Sequence, residues 1–251
     1  MPAPHSQPAA GRAPAAQPAT PATPDAPILE RALRLLCHDL RIPLTSITAC
    51  AEVLRATGLS PEERDQFTRT LQTQSSRLAR MLESLESLAD GAGGGTANER
   101  EPVDVDAELR DATSAAVAAA AARGVGVSWN AAAGVLLPRW RAARLAGVLD
   151  WVLEAGARRV AAGQSVTVRA EPRGGEVCVE VGLPGVEPGP SELSALNALD
   201  PDRDPPDLVR GVAGPLWAAM RSLALCGGRS EVVARATGLT WTLSVRSSGS
   251  P

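Results

Sequence analysis

The sequence predicts an α-helical hairpin, completed to a four-helix bundle by a second copy of the chain, followed by an α/β sandwich. Two long segments before residue 90 repeat their apolar residues every three or four positions, the period of an amphipathic helix. A glycine-rich break, GAGGG at 91–95, follows them. Beyond it, helical stretches mix with short alternating segments that read as strands.

Residues 1–26, rich in Pro and Ala with almost no apolar anchor, read as a disordered tail, and His5 within it is expected to be inert. The hairpin spans 27–90. Leu29, Leu33, Leu36, Leu40, Leu44, Ile47 and Val53/Leu54 carry the first apolar stripe, which stops at Gly58. Ser60-Pro61-Glu62-Glu63 combines an N-cap serine, a proline at the first helical position and a glutamate three residues after the cap. Phe67, Leu71, Leu78, Met81/Leu82, Leu85 and Leu88 continue the pattern. Two helices cannot bury these stripes alone, so a homodimer is expected. A linker over 91–102 leads to the second domain, 103–247. Its expected elements are a helix over 104–123, a strand at 125–129, a helix over 139–162 and a hairpin at 166–181 around Gly174-Gly175. A long loop over 182–210 with one helical turn, a helix near 212–226 and a final hairpin at 231–245 complete it.

Composition narrows the function. The 251 residues are 44% hydrophobic, sufficient for a core, but only 2% aromatic. A net charge of −3 argues against nucleic acid. Cys37, Cys50, Cys178 and Cys226 are widely separated, with only two histidines to help, so buried reduced thiols are expected and no metal site. No apolar run approaches the ~18–20 residues of a membrane span, and no signal peptide is evident. A cytoplasmic protein is expected.

The stretch LCHDLRIPLTSI, 36–47, concentrates the chemistry. Imidazole is a nucleophile that is largely neutral near pH 7. His38 lies off the apolar stripe, Asp39 adjoins it, and Pro43 removes the backbone hydrogen bond to residue 39 and is expected to bend the helix. His38-Asp39-Leu40-Arg41-Ile42-Pro43-Leu44-Thr45 resembles the phosphoacceptor box of bacterial sensor histidine kinases. The resemblance implies His38 as phosphoacceptor, Asp39 as neighbouring acid/base, and a response-regulator receiver domain as partner, met by Arg34, Arg41 and Thr45. Members of that family that also dephosphorylate their regulator usually have Thr or Asn four residues after the histidine. Ile42 stands there, so phosphatase activity is not expected.

The second domain resembles the ATP-binding domain of the same family in order and length, and not in its chemistry. In VLDWVLEAGARR, 148–159, Trp151 and Ala155 stand where two metal-binding asparagines belong, and neither offers the oxygen that Mg²⁺ requires. Asp150 and Glu154 are one residue out of register and are expected to point about 100° around the helix from those positions, with Glu154 the residual candidate for the site. In VGLPGV, 181–186, Val181 replaces the adenine-reading aspartate and Gly185 survives. In GVAGPLWAAMRSLALCGG, 211–228, Gly211 survives, Pro215 takes a glycine position and Gly214 has slipped by one. A scaffold domain without cofactor is therefore the leading expectation, and phosphoryl exchange through His38 the leading function. The alternatives are a divergent ATP- and Mg²⁺-dependent kinase and a non-catalytic adaptor.

Overall fold

The computed structural model describes residues 26–56, 58–89, 100–199 and 204–247. The Pro/Ala-rich stretch before Ala26 and the GAGGG segment lie outside them. Helix α1 (Ala26–Arg55) runs without interruption through Pro43, and α2 (Pro61–Ala89) follows a short turn. Gly58 takes φ +101°, a conformation that only glycine adopts without strain. The first turn of α2 is tied reciprocally: the Ser60 amide donates to Glu63 Oε2 at 2.9 Å and the Glu63 amide to Ser60 Oγ at 3.2 Å.

The second half begins with β1 (Pro102–Asp104), α3 (Val105–Ala112) and α4 (Ser114–Ala121). Then come β2 (Gly126–Ala131), β3 (Leu136–Pro138), α5 (Arg139–Gly156), β4 (Ser165–Arg173) and β5 (Glu176–Pro184). The chain ends with α6 (Pro190–Ala198), α7 (Ala213–Leu225), β6 (Arg229–Arg235) and β7 (Gly238–Arg246). Five strands form one sheet in the order β2-β4-β5-β7-β6, with β2 and β4 parallel and the other pairs antiparallel. A separate antiparallel pair joins β1 to β3, which the sequence did not suggest. Gly174 and Gly175, both at positive φ, close the two-residue turn between β4 and β5. Helix α5 packs on both the sheet and α7, with Leu145, Val148, Leu149, Val152 and Leu153 fully buried.

Four expectations need correction. The helix expected over 104–123 breaks at Thr113, a fully buried residue whose hydroxyl donates to Leu109 O at 2.7 Å and competes with the helical ladder. Helix α5 stops at Gly156 rather than near 162, where the helix meets Leu183 of β5. The 182–210 stretch holds the nine-residue α6, started by Pro190 at the first helical position. Its Asn197 amide both donates to Val232 O and accepts from the Val232 amide, each at 2.8 Å, and so covers the edge of β6. Among the cysteines, Cys50, Cys178 and Cys226 are buried as expected, but Cys37 is exposed.

The hairpin also finds cover within its own chain. Helix α7 packs on both α1 and α2, and Leu36 and Met81 are completely enclosed, while Leu33, Ile42, Leu44 and Leu82 remain exposed. No helix among the described residues is long and apolar enough to cross a membrane.

At Gly156 a Cβ would sit 2.4 Å from a Leu183 methyl. Gly156→Ala is expected to destabilise the fold by about 1–3 kcal/mol, because the surrounding core is too dense to yield fully. Denaturant titration at fixed pH checks it, and an unchanged midpoint would show that Leu183 has a free rotamer.

Candidate functional site

The amphipathic pattern of α1 turns Leu36 inward and His38 outward. The His38 side chain is 70% exposed, and its Nδ1 lies 3.3 Å from Asp39 Oδ1. Asp39 is only 2% exposed. Its second oxygen, Oδ2, accepts the Gly214 amide at 3.0 Å, so the carboxylate links the His38 ring to the first turn of α7. That approach needs glycine: a Cβ at 214 would lie 2.9 Å from the Leu36 N and Cα. The carboxylate also suits the positive end of a helix.

Arg41 and Thr45 are exposed one and two turns beyond His38 and line a shallow depression with Leu44, Thr48, Ala49 and Glu52. Arg34, a turn earlier, is exposed and paired with Glu30 at 2.5 Å. Pro43 is buried and Ile42 is exposed.

The stripe on α5 faces the hairpin. Residues 150, 151 and 154 fall within one ~100°-wide helical face, and that face packs on α2. Trp151 is 1% exposed and its Nε1 donates to Ser84 Oγ at 3.0 Å. The Arg80 guanidinium lies 4.8 Å from the Trp151 ring centre, pairs with Asp150 and reaches Glu154 at 2.8 Å. Arg77 pairs with Glu154 at 3.1 Å and donates to Gly211 O at 2.6 Å. Arg158 also bonds Glu154. Farther along α2, the Ser87 and Ser222 hydroxyls meet at 2.7 Å. Burial pushes the Asp150 carboxyl up to about 6 although Arg80 opposes the shift, and Asp150 Oδ1 has no hydrogen-bond partner. Arg80 is held protonated above its ordinary range by Asp150 and Glu154, against the cost of its burial.

The residual cofactor candidates are thus engaged by the protein itself. Glu154 is held by three arginines, and the Gly211 carbonyl accepts from Arg77. The Gly185 amide donates to Thr237 O at 3.1 Å. Val181 is completely buried, and Pro215 has no amide to offer a phosphate. These residues do not fit Mg²⁺–ATP: no oxygen donor stands at 151 or 155, and the Gly214 amide already holds a carboxylate. Among the described residues no cluster of three or more His, Cys, Asp or Glu side chains could hold a metal ion.

The α2 residues of this interface escaped the reading of the sequence. A signal was present: Arg77, Arg80, Ser84 and Ser87 recur at spacings of three and four beside the apolar stripe, and Asp150 and Glu154 are spaced by four on the partner helix.

Comparison with known proteins agrees with the two-part architecture. Residues 28–94 match the His Kinase A (phospho-acceptor) domain. The sensor protein DivL of Caulobacter vibrioides is 32% identical over 145 residues, covering 57% of this chain and 19% of DivL, so the chain spans about a fifth of that relative. The fold is similar to that of the Acinetobacter baumannii histidine kinase AdeS, with a TM-score of 0.54 and 16% identity over 84% of this chain and 98% of that one. It is also similar to full-length ShkA in complex with AMPPNP, with a TM-score of 0.53 and 19% identity over 88% of this chain and 47% of that one. Residues 28–94 are thus similar to a phospho-acceptor hairpin, and the two-part fold, hairpin and then α/β sheet domain, is that of the histidine kinases the chain resembles.

Proposed function

We propose that this protein relays phosphoryl groups through His38, taking them from the aspartyl phosphate of one receiver domain and passing them to another. The observation that carries the reading is the His38 ring: its Nδ1 faces Asp39 Oδ1 at 3.3 Å while the side chain stays 70% exposed. A proton on Nδ1 leaves the Nε2 lone pair free for attack. In the forward step Nε2 attacks phosphorus, the P–O bond to the aspartyl group breaks, and its electron pair returns to the receiver's carboxylate. The ring gains a positive charge that Asp39 balances, and no proton has to leave Nδ1. In this reading Arg41 offsets phosphoryl charge and, with Thr45 and Arg34, meets the receiver, a role that their exposure supports. Ile42 has no group to orient a hydrolytic water, which favours relay over dephosphorylation.

The C-terminal domain acts in this reading as a scaffold docked on the hairpin, since its nucleotide boxes lack oxygen ligands and their remaining glycine groups bond within the chain. The exposed Leu33, Ile42, Leu44 and Leu82 support a homodimer through the remaining hairpin surface. The soluble cytoplasmic setting follows from the receiver partner.

Receiver domains charged from acetyl [³²P]phosphate test the proposal. Wild type is expected to gain acid-labile label and His38→Gln none, with stability changed by less than about 0.5 kcal/mol because the side chain is exposed. Incubation with Mg-[γ-³²P]ATP is expected to leave both unlabelled. His38-dependent label from ATP would make the protein a kinase; no label from either donor, with receiver binding intact in His38→Gln, would make it an adaptor.

A further inference from the structure

We infer that Asp39 is a positioning residue through which docking of the C-terminal domain selects the reactive tautomer of His38. This rests on the phosphoacceptor reading above. The two oxygens of Asp39 have different partners, Oδ1 the His38 ring and Oδ2 the Gly214 amide. A carboxylate on an exposed helix face would rotate freely. This one is 2% exposed, enclosed where α7 meets α1, with the Leu36 backbone close to Gly214. The Gly214 amide therefore fixes the plane of the carboxylate, and the carboxylate fixes which ring nitrogen carries the proton.

The rest of the interface holds α7 and its preceding loop where this can happen. Arg77 binds the Gly211 carbonyl three residues before Gly214, and Ser87 meets Ser222 two turns after it. Phosphoryl exchange as written removes no proton from Nδ1, so the step asks for orientation from Asp39 and not for a base. The domain that resembles an ATP-binding module thereby acts on His38 through one hydrogen bond at the start of α7.

Gly214→Ala separates this role from a self-sufficient Asp39. It alters neither His38 nor Asp39, and alanine favours the helix itself, so its damage is confined to the approach of α7 to Leu36 and Asp39. Full-length protein labelled with ¹⁵N-histidine reports the ring tautomer, His5 being the only other histidine. Wild type is expected to show the Nδ1–H form. Gly214→Ala and Asp39→Ala are each expected to populate the Nε2–H form and to raise amide exchange in the first turn of α7 by about tenfold to a hundredfold, the usual worth of a hydrogen bond to a charged group. Each is also expected to slow transfer from a charged receiver by about tenfold or more. The double variant is expected to lose no more than about twofold beyond the worse single one, since both break the same link.

Faster exchange in Gly214→Ala with wild-type tautomer and rate would overturn the inference, leaving Asp39 to act on the ring alone. Unchanged α7 exchange in Asp39→Ala would overturn it from the other side. Should wild type accept no phosphoryl group at all, the relay reading falls, while tautomer and exchange still decide whether α7 orients His38.

Discussion

Arg80→Ala is expected to lower the unfolding free energy by about 3–5 kcal/mol at pH 7, the usual cost of stranding one partner of a buried ion pair. Arg80 is the shared partner of Asp150 and Glu154 and lies over the Trp151 ring. Glu154 keeps Arg77 and Arg158 in the variant, but among the described residues Asp150 pairs with Arg80 alone, and its Oδ1 has no hydrogen-bond partner. The deficit depends on pH with a definite sign. The folded Asp150 carboxyl is raised to about 6 from 3.8, so between those values the folded protein holds a proton that the unfolded chain has released. Stability from this group is therefore gained as pH falls through about 6 towards 4 and lost as it rises. Without Arg80 the carboxyl moves further up, and Arg80→Ala is expected to recover part of its deficit between pH 7 and pH 5. Guanidinium titrations of both proteins at the two pH values check this. A deficit that is the same at pH 5, or absent at pH 7, would mean that Asp150 is hydrated in solution.

Trp151→Asn is expected to cost about 3–5 kcal/mol, as for removal of a large core aromatic. By resemblance this substitution restores a metal-binding asparagine. In the structure the position is enclosed between α5 and α2, donates to Ser84 Oγ and stacks under Arg80. Asparagine there leaves a cavity and an amide that needs partners which an indole does not. Loss of stability is therefore expected without a gain of ATP-dependent labelling. Thermal unfolding with and without Mg-ATP measures both; a variant as stable as wild type, or one stabilised by the nucleotide, would show that the face can open to ligand.

The hairpin was the most legible part of the chain. Its stripes span many turns, and the Ser60–Glu63 cap is made by residues three apart, so periodicity and local chemistry suffice. The sheet domain was legible in outline, because Gly174-Gly175 marks a turn by its own conformational needs. The length of helix α6 was underestimated since its support, the bond of Asn197 to the edge of β6, comes from a residue 35 positions away. The split at Thr113 was missed because alanine-rich sequence carries no stop signal, and the break depends on a buried hydroxyl.

The functional residues divide in the same way. His38, Asp39 and Pro43 stand in one short motif, and the helical period alone places His38 outside the apolar face. The sequence by itself thus determined the family resemblance, the exposed histidine and the loss of oxygen ligands at 151 and 155. What Asp39 touches, and where Asp150 and Glu154 point, was decided only when α7 and α5 packed against the hairpin. Those contacts join residues 175, 70 and 74 positions apart. Burial is what gives them force: a carboxylate removed from water must be met by an amide or a guanidinium, and which group meets it is a property of the assembled fold.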